Sequence, residues 1–175
     1  MGRYRPIIVG VARKLGLGEE DAADVAQDTL VRFIKSYRAG QYDRSKGRLR
    51  YWIIGIARYR ILDALRAGAS RRGWRGDSLI SEMPEEADLN TVWDTERRRA
   101  ILREAMVELR AHTKIDQRTI AAFEMVAFHR RRPCDVADEL HMTLDDVYQV
   151  KNRIAARLRE ITAKLESIYD EDECG

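Results

Sequence analysis

Apolar residues recur along this chain at the three- and four-residue spacing of amphipathic helices, and polar or glycine-rich breaks separate the runs. Five stretches with this spacing precede the C-terminal segment: about residues 5–15, 19–40, 47–66, 91–111 and a stretch that follows the N-cap residue Asp116. The acids at Glu19 and Glu20 suit a helix start, and Gly40 suits a helix end. No segment alternates apolar and polar residues between turn residues, so the sequence predicts an all-α protein.

Each predicted helix carries its apolar residues on one face. In the second helix these residues are Ala22, Ala26, Leu30, Phe33 and Tyr37. In the third helix they are Leu49, Trp52, Ile53, Ile56 and Ala57. The next two helices are expected to bury Leu102, Met106, Leu109, Ile120, Phe123 and Ala127. Trp52 shares the apolar face of the third helix, and it is therefore expected in the core rather than on a partner surface.

The segment from Pro133 to Leu165 has the clearest pattern in the chain. A short helix with Val136, Ala137 and Leu140 is followed by a break at His141 and Met142. Thr143 caps a longer helix, whose apolar residues are Val147, Val150, Ile154, Leu158, Ile161 and Leu165. A short helix, a tight turn and a longer helix form the pattern of a helix-turn-helix. Helical hairpins without a DNA role share this pattern, and the turn has His141 where such motifs often have glycine.

Charge divides the 175 residues into three blocks. Residues 1–75 carry 17 Lys/Arg and 7 Asp/Glu, a net of +10, and residues 76–95 carry 6 acids and no base. The remainder is nearly balanced, with 15 basic and 16 acidic residues. We expect an N-terminal domain over residues 1–68, a flexible acidic linker over 69–94, a second domain over 95–168 and an acidic tail over 169–175. The basic block favours a nucleic-acid partner, although a basic domain without one has the same charge.

Other classes of site and location find little support in the sequence. The two cysteines, Cys134 and Cys174, form no paired motif, and the three histidines lack ligand spacing, so neither a disulfide, a metal nor another cofactor is predicted. No Ser/His/Asp arrangement or glycine-rich phosphate loop indicates an enzyme. No apolar run approaches the roughly 20 residues of a membrane span. Together with the absence of a cleavable leader pattern, this predicts a cytoplasmic protein.

Between Tyr4 and Leu165 the chain resembles bacterial RNA polymerase sigma factors of the extracytoplasmic-function group. "EEDAADVAQDTLVRF" is similar to the family's polymerase-docking helix, and "YDRSKGRLRYWIIGIARYRILDALR" is similar to its promoter-melting segment. "VYQVKNRIAARLRE" resembles the end of its second DNA-binding domain. The chain departs from the family pattern at Tyr59, where Asn is frequent, at His141, and in a first helix that starts late.

The resemblance implies functions for two sets of residues in the N-terminal half. An acidic face on the second helix would meet the basic β′ coiled coil of core RNA polymerase; its residues are Asp21, Asp24, Gln27 and Asp28. The loop of residues 41–48 would capture a flipped base of the melted −10 element. Residues for the −10 element are Tyr42, Arg44, Lys46 and Arg48 in the loop and Arg58, Tyr59 and Arg66 on the third helix.

The N-terminal half of the last helix is the candidate for reading duplex DNA at the −35 element. Its polar residues lie off the apolar stripe: Tyr148, Gln149, Lys151, Asn152, Arg153 and Arg157. Gln and Asn pair well with adenine and Arg with guanine. Asp145 and Asp146 suit the start of a helix but repel phosphate, and one of them could instead accept a hydrogen bond from a cytosine amino group.

These observations predict a non-enzymatic sigma factor that binds core polymerase, recognises the −10 and −35 elements and promotes initiation. Core polymerase, through its β′ coiled coil and β subunit, and promoter DNA are the implied partners. The sequence leaves open whether an anti-sigma factor also binds. The main alternative is a stand-alone helix-turn-helix regulator that binds duplex DNA by itself.

Overall fold

The computed structural model describes residues 2–71, 86–112 and 115–174, and within these ranges the chain is helical and contains no strand. The prediction of an all-helical chain is therefore confirmed for the described part. Seven α-helices are present there: α1 (Tyr4–Lys14), α2 (Glu19–Arg38), α3 (Leu49–Arg71), α4 (Glu86–His112), α5 (Gln117–Ala127), α6 (Pro133–Glu139) and α7 (Leu144–Cys174). The chain divides into two compact units, one of residues 1–100 with 170–175 and one of residues 101–169.

The core of the N-terminal unit forms where α1 packs on α2 and α2 packs on α3. Buried apolar side chains come from all three helices: Ile7, Ile8, Val11, Val25, Ala26, Phe33, Ile53, Ile54, Ala57 and Ile61. The predicted stripe of α2 is only partly buried, since Tyr37 is 47% exposed. On α3, Trp52 and Ile56 are half-buried, so Trp52 lies at the edge of the core rather than fully inside it.

The first half of α4 belongs to the N-terminal unit, whereas the sequence predicted a helix only from about residue 91 and a linker over residues 69–94. Trp93 is only 1% exposed, and its ring lies 6.4 Å from the ring of Tyr4. Asp94 forms an ion pair of 2.8 Å with Arg50 of α3. The linker expected over residues 69–94 is thus helical up to Arg71 and again from Glu86, and its middle, residues 72–85, lies outside the described residues.

A close approach between α1 and α4 explains one glycine of the N-terminal unit. A Cβ atom at Gly10 would overlap the side chain of Glu96, which is buried. Arg99 forms an ion pair with the same Glu96 carboxylate at 2.5 Å. The absence of a side chain at Gly10 therefore gives a charged residue room inside the unit, where an unpaired carboxylate would be costly.

In the second unit, the buried face of α7 contains the six apolar residues that the spacing predicted, from Val147 to Leu165. α4, α5 and α6 contribute Ile101, Ala105, Leu109, Ile120, Phe123, Val136 and Ala137. Two predictions are wrong here, because Leu102 and Ala127 are exposed. α7 continues through the expected acidic tail to Cys174, and Tyr169 within that range is buried.

The turn between α6 and α7 is built without glycine. His141 adopts a positive φ of 50°, a conformation that glycine enters most readily. The Met142 amide donates to the carbonyl of Ala137 at 2.9 Å, which closes α6. The Arg118 guanidinium donates to the His141 carbonyl and thereby fixes the strained residue from α5. His141 therefore takes the position of the usual glycine with support from a neighbouring helix.

Candidate nucleic-acid interface

The loop between α2 and α3 has a defined conformation, with a 3₁₀ turn at Arg44–Lys46. The Asp43 carboxylate accepts hydrogen bonds from the Ser45 amide at 2.9 Å and from the Ser45 hydroxyl at 2.7 Å. These bonds, above all the one from the Ser45 hydroxyl, lower the pKa of Asp43 below its ordinary value, so the carboxylate stays charged at neutral pH. Gly47 follows at φ 153°, where a Cβ would be strained.

Aromatic rings fix this loop to the helices on both sides of it. The ring of Tyr42 stacks on that of Trp52 with centroids 5.4 Å apart and planes 24° apart. Tyr37 stacks on the same tyrosine at 6.0 Å, and Phe33 meets Trp52 edge-on at 5.5 Å. The Tyr42 hydroxyl also donates to the carbonyl of Gly47 at 3.2 Å. The loop is thus held by stacking at its start and by a hydrogen bond at its end.

Loop and helix together enclose a pocket of about 280 Å³. The residues that line it are Gln41, Tyr42, Asp43, Lys46, Gly47, Arg48, Tyr51 and Trp52. Its size is close to the roughly 300 Å³ at which pockets for small ligands begin. The predicted loop residues Tyr42, Lys46 and Arg48 are therefore brought together, whereas Arg44 is exposed on the 3₁₀ turn and does not line the pocket.

The chemistry of this pocket suits a planar, partly anionic ligand. Tyr42, Tyr51 and Trp52 offer aromatic surfaces, and Lys46 and Arg48 supply positive charge. Lys46 lies 3.6 Å from Asp43, but its side chain remains 83% exposed, which leaves it accessible to a phosphate. An unpaired base attached to its sugar and phosphate has both features that such a site recognises.

The predicted α3 residues beyond the loop differ in how available they are. Tyr59 is 70% exposed and can contact a partner without rearrangement. Arg66 is exposed and lies 3.8 Å from Asp63, a weak surface ion pair that a phosphate can replace. Arg58 is half-buried, and its Nε is buried without a hydrogen-bond partner among the described residues. Tyr59 and Arg66 are therefore accessible to a partner, whereas Arg58 is only partly accessible.

The predicted polymerase-docking residues on α2, Asp21, Asp24, Gln27 and Asp28, are exposed. Asp28 accepts a hydrogen bond of 3.1 Å from Arg60 of α3. Arg60 also contacts Asp63 of its own helix at 2.7 Å. The Arg60 guanidinium therefore joins Asp28, Arg60 and Asp63 in one cluster that connects α2 to α3. The groove beside this cluster measures about 560 Å³ and is lined by Val31, Arg32, Lys35, Ile56 and Tyr59, among others.

In the second unit the start of α7 presents the residues predicted for duplex DNA. Tyr148, Gln149, Lys151, Asn152, Arg153 and Arg157 are all exposed. Thr143 and Asp146 form a reciprocal cap: the Asp146 amide donates to the Thr143 hydroxyl at 3.1 Å, and the Thr143 amide donates to the Asp146 carboxylate at 3.2 Å. Hydrogen bonds from Thr143, that of its hydroxyl first, lower the pKa of Asp146. The helix therefore starts at a fixed residue, and its first two turns expose the polar side chains that lie opposite Val147 and Val150.

Two features of these surfaces were not predicted from the sequence. Trp52 is a wall of the loop pocket as well as a neighbour of the core, a dual position that its place on an apolar stripe concealed. The Gln149 side chain is hydrogen-bonded to Asp145, although the i, i+4 spacing of the two residues was a signal that could have indicated it.

Two further observations concern other classes of site. No group of three or more His, Cys, Asp and Glu residues in the described part of the chain could hold a metal ion. Among the helices of residues 2–71, 86–112 and 115–174, none is long and apolar enough to cross a membrane.

Comparison with known families places the N-terminal unit. Residues 1–72 match the family model for sigma-70 region 2, a range that includes α1, α2, the loop and α3. No curated protein and no solved structure matches the chain. The match covers 72 of the 175 residues, and it supports similarity to sigma-70 factors in this N-terminal part of the chain.

Proposed function

We propose that this chain is a sigma factor of the extracytoplasmic-function group, which binds core polymerase, recognises the −10 and −35 elements and promotes initiation. The observation that carries the proposal is the pocket between the loop and α3, which lies inside the range that matches sigma-70 region 2. Aromatic walls and two cations in that range suit a single unpaired base.

Capture of a base in this pocket would favour promoter opening. Taking one base out of a duplex costs a few kcal/mol, which the protein must offset after opening begins. Stacking of the base on an aromatic side chain contributes about 1–3 kcal/mol. Lys46 and Arg48 add attraction for the adjacent phosphates. We infer that the loop acts on the melted strand, and that Arg58, Tyr59 and Arg66 contact the −10 region outside the pocket.

The exposed acidic face of α2 is our candidate for docking on polymerase. Complementary charge on a basic coiled coil would orient the factor and accelerate association. Asp24 is the most direct candidate, because it forms no ion pair with any described residue, whereas Asp28 is paired with Arg60. We assign β′ as the docking partner of this face.

The exposed start of α7 is our candidate for reading the −35 duplex. Gln149, Asn152 and Arg153 are residue types that recognise base edges, and Lys151 and Arg157 suit phosphates. Arg157 also contacts Glu160 at 2.7 Å, an exposed pair that binding can break at little cost. In this proposal α6 and α7 form a helix-turn-helix, and the turn at His141 sets the start of the recognition helix.

The test is reconstitution of the chain with core polymerase. We expect a stable complex that transcribes from a matched promoter, and only weak, unselective duplex binding by the free chain. The reading surfaces lie in two separate units, so one promoter contact alone supplies little affinity. Tight, sequence-selective binding by the free chain, together with no complex with core enzyme, would establish the stand-alone regulator instead.

A further inference from the structure

The first turn of α7 holds a side-chain pair that lies on the proposed base-reading face. Gln149 Nε2 donates a hydrogen bond of 2.7 Å to the Asp145 carboxylate, one helical turn earlier. Both residues are exposed, and Tyr148 and Asn152 flank the pair on the same surface. A glutamine side chain on a free helix surface samples several rotamers, whereas this contact favours one.

The chemistry of the contact determines which groups of Gln149 remain available. An ionised carboxylate can only accept hydrogen bonds, so the amide nitrogen of Gln149 must face Asp145. The contact uses one of the two N–H groups, and the second N–H and the carbonyl oxygen stay free. Adenine presents an N7 acceptor and an N6 donor in the major groove, which need one donor and one acceptor from the protein. The groups left free on Gln149 match that need.

We propose that Asp145 is a positioning residue, whose carboxylate holds Gln149 in the rotamer that recognises an adenine of the −35 element. The proposal rests on the function proposed above and adds a specificity residue that does not itself touch the base. The proposal also explains why Asp145 is tolerated at the start of a DNA-binding helix, where its negative charge weakens the attraction to phosphate. Affinity for all sequences is lowered while the preference for one base is raised.

The neighbouring acid, Asp146, has a separate role, so Asp145 can be substituted without loss of the helix cap. Asp146, with Thr143, caps the helix, and Asp145 takes no part in that cap. Substitution of Asp145 therefore leaves the start of α7 hydrogen-bonded. Asp145→Asn is the matched control, because it removes the charge near the helix terminus but keeps an oxygen that accepts the Gln149 hydrogen bond. Asp145→Ala removes both.

The experiment measures base preference in the complex with core polymerase. Promoters with each base pair substituted in turn across the −35 element compete for four proteins: wild type, Asp145→Ala, Asp145→Asn and Gln149→Ala. We expect Gln149→Ala to reduce discrimination at one A·T position by about 5- to 150-fold, as for a lost bidentate contact. Asp145→Ala is expected to reduce it at the same position by about 2- to 10-fold, as for a side chain that must be immobilised on binding.

The two Asp145 variants separate positioning from charge. Both are expected to bind promoters that lack the preferred adenine more tightly than wild type does, because an anion has been removed from the surface that faces DNA. Only Asp145→Asn is expected to keep the base preference. The double variant Asp145→Ala/Gln149→Ala should show no further loss of preference than Gln149→Ala alone, since the acid acts through the glutamine.

Several outcomes would overturn the proposal. If Gln149→Ala changes preference but Asp145→Ala does not, Asp145 does not position the glutamine. If Asp145→Ala changes preference at a neighbouring C·G pair, the carboxylate contacts a cytosine amino group directly. If Asp145→Asn reduces the base preference as much as Asp145→Ala does, the preference depends on the charge of Asp145 rather than on its hydrogen bond. If Gln149→Ala leaves the −35 preference unchanged, the base-reading role proposed for Gln149 fails and the positioning role of Asp145 fails with it. If no complex with core polymerase forms, the proposed sigma function fails instead, so the two failures are distinguishable.

Discussion

Tyr42 offers the sharpest test of the loop pocket, because two substitutions separate the hydrogen bond of its hydroxyl from the contacts of its ring. Tyr42→Phe deletes only the hydroxyl that donates to the Gly47 carbonyl at 3.2 Å. An exposed hydrogen bond of this kind contributes about 0.5 kcal/mol, at the low end of the usual range, which is roughly a twofold effect. Tyr42→Ala deletes the ring that stacks on Trp52 at 5.4 Å and forms one wall of the pocket.

The expected loss for Tyr42→Ala is that of one aromatic wall of the pocket, since the Tyr42 ring lines the pocket and also stacks on Trp52, a second wall. A base on an aromatic ring gains about 1–3 kcal/mol, so the ratio of open to closed promoter complex should fall by about 5- to 150-fold. Closed-complex formation should be nearly unchanged, because duplex binding precedes capture of the base. Permanganate reactivity of unpaired thymines measures opening, and a footprint at low temperature measures closed binding.

Tyr37→Ala is the matched control for the loss of a tyrosine ring. Tyr37 stacks on Tyr42 at 6.0 Å but does not line the pocket. We therefore expect opening to remain within about twofold of wild type for this variant, which corresponds to about 0.5 kcal/mol, the low end for one aromatic pair, because Tyr37 is 47% exposed. The pocket assignment is refuted if Tyr42→Ala opens the promoter normally, if it loses closed binding equally, or if Tyr37→Ala is as defective.

Three further predictions concern the rest of the N-terminal unit. Trp93→Ala should lower the free energy of unfolding of that unit by about 3–5 kcal/mol in a denaturant titration, as for a fully buried tryptophan, and a loss below about 1 kcal/mol would show that α4 contributes little there. Asp24→Lys should weaken binding of core polymerase in a pull-down while the circular dichroism spectrum stays unchanged; undiminished binding would place the docking face elsewhere. Arg58→Ala should weaken closed and open complexes alike and reduce the salt slope by about one, without a change in the preferred sequence, whereas an altered preference would indicate a base contact.

The regular parts of this fold could be predicted because each depends on local spacing alone. The six predicted apolar residues of α7 all became buried, since a single straight helix keeps one face toward its neighbours over several turns. On α3 the same rule failed in part, and Trp52 and Ile56 are half-buried. That helix packs on α2 and also contacts α4 through Arg50. Its contacts are therefore divided between two faces, and the predicted stripe alone does not define the buried surface.

The start of α4 was not predicted as a helix because the segment is acidic. Residues 86–94 are acidic, and acidic segments between domains are usually solvated, which favoured a linker. In the structure Leu89 and Trp93, four residues apart, form a buried stripe, and Asp94 is paired with Arg50. The cation that makes this segment compatible with packing comes from a distant part of the sequence. Local composition contains no information about such a partner.

The cluster of Asp28, Arg60 and Asp63 likewise depends on a partner that is distant in sequence, and it changes how docking must be tested. By sequence alone Asp28 and Asp24 are equivalent acids on one face of α2. In the structure Asp28 is held by Arg60, whose side chain is only 22% exposed and also contacts Asp63. A charge reversal at Asp28 would therefore place two cations together and disturb the packing of α2 on α3, independent of any polymerase contact. Asp24→Lys lacks this second effect, so loss of polymerase binding in that variant reports on docking itself.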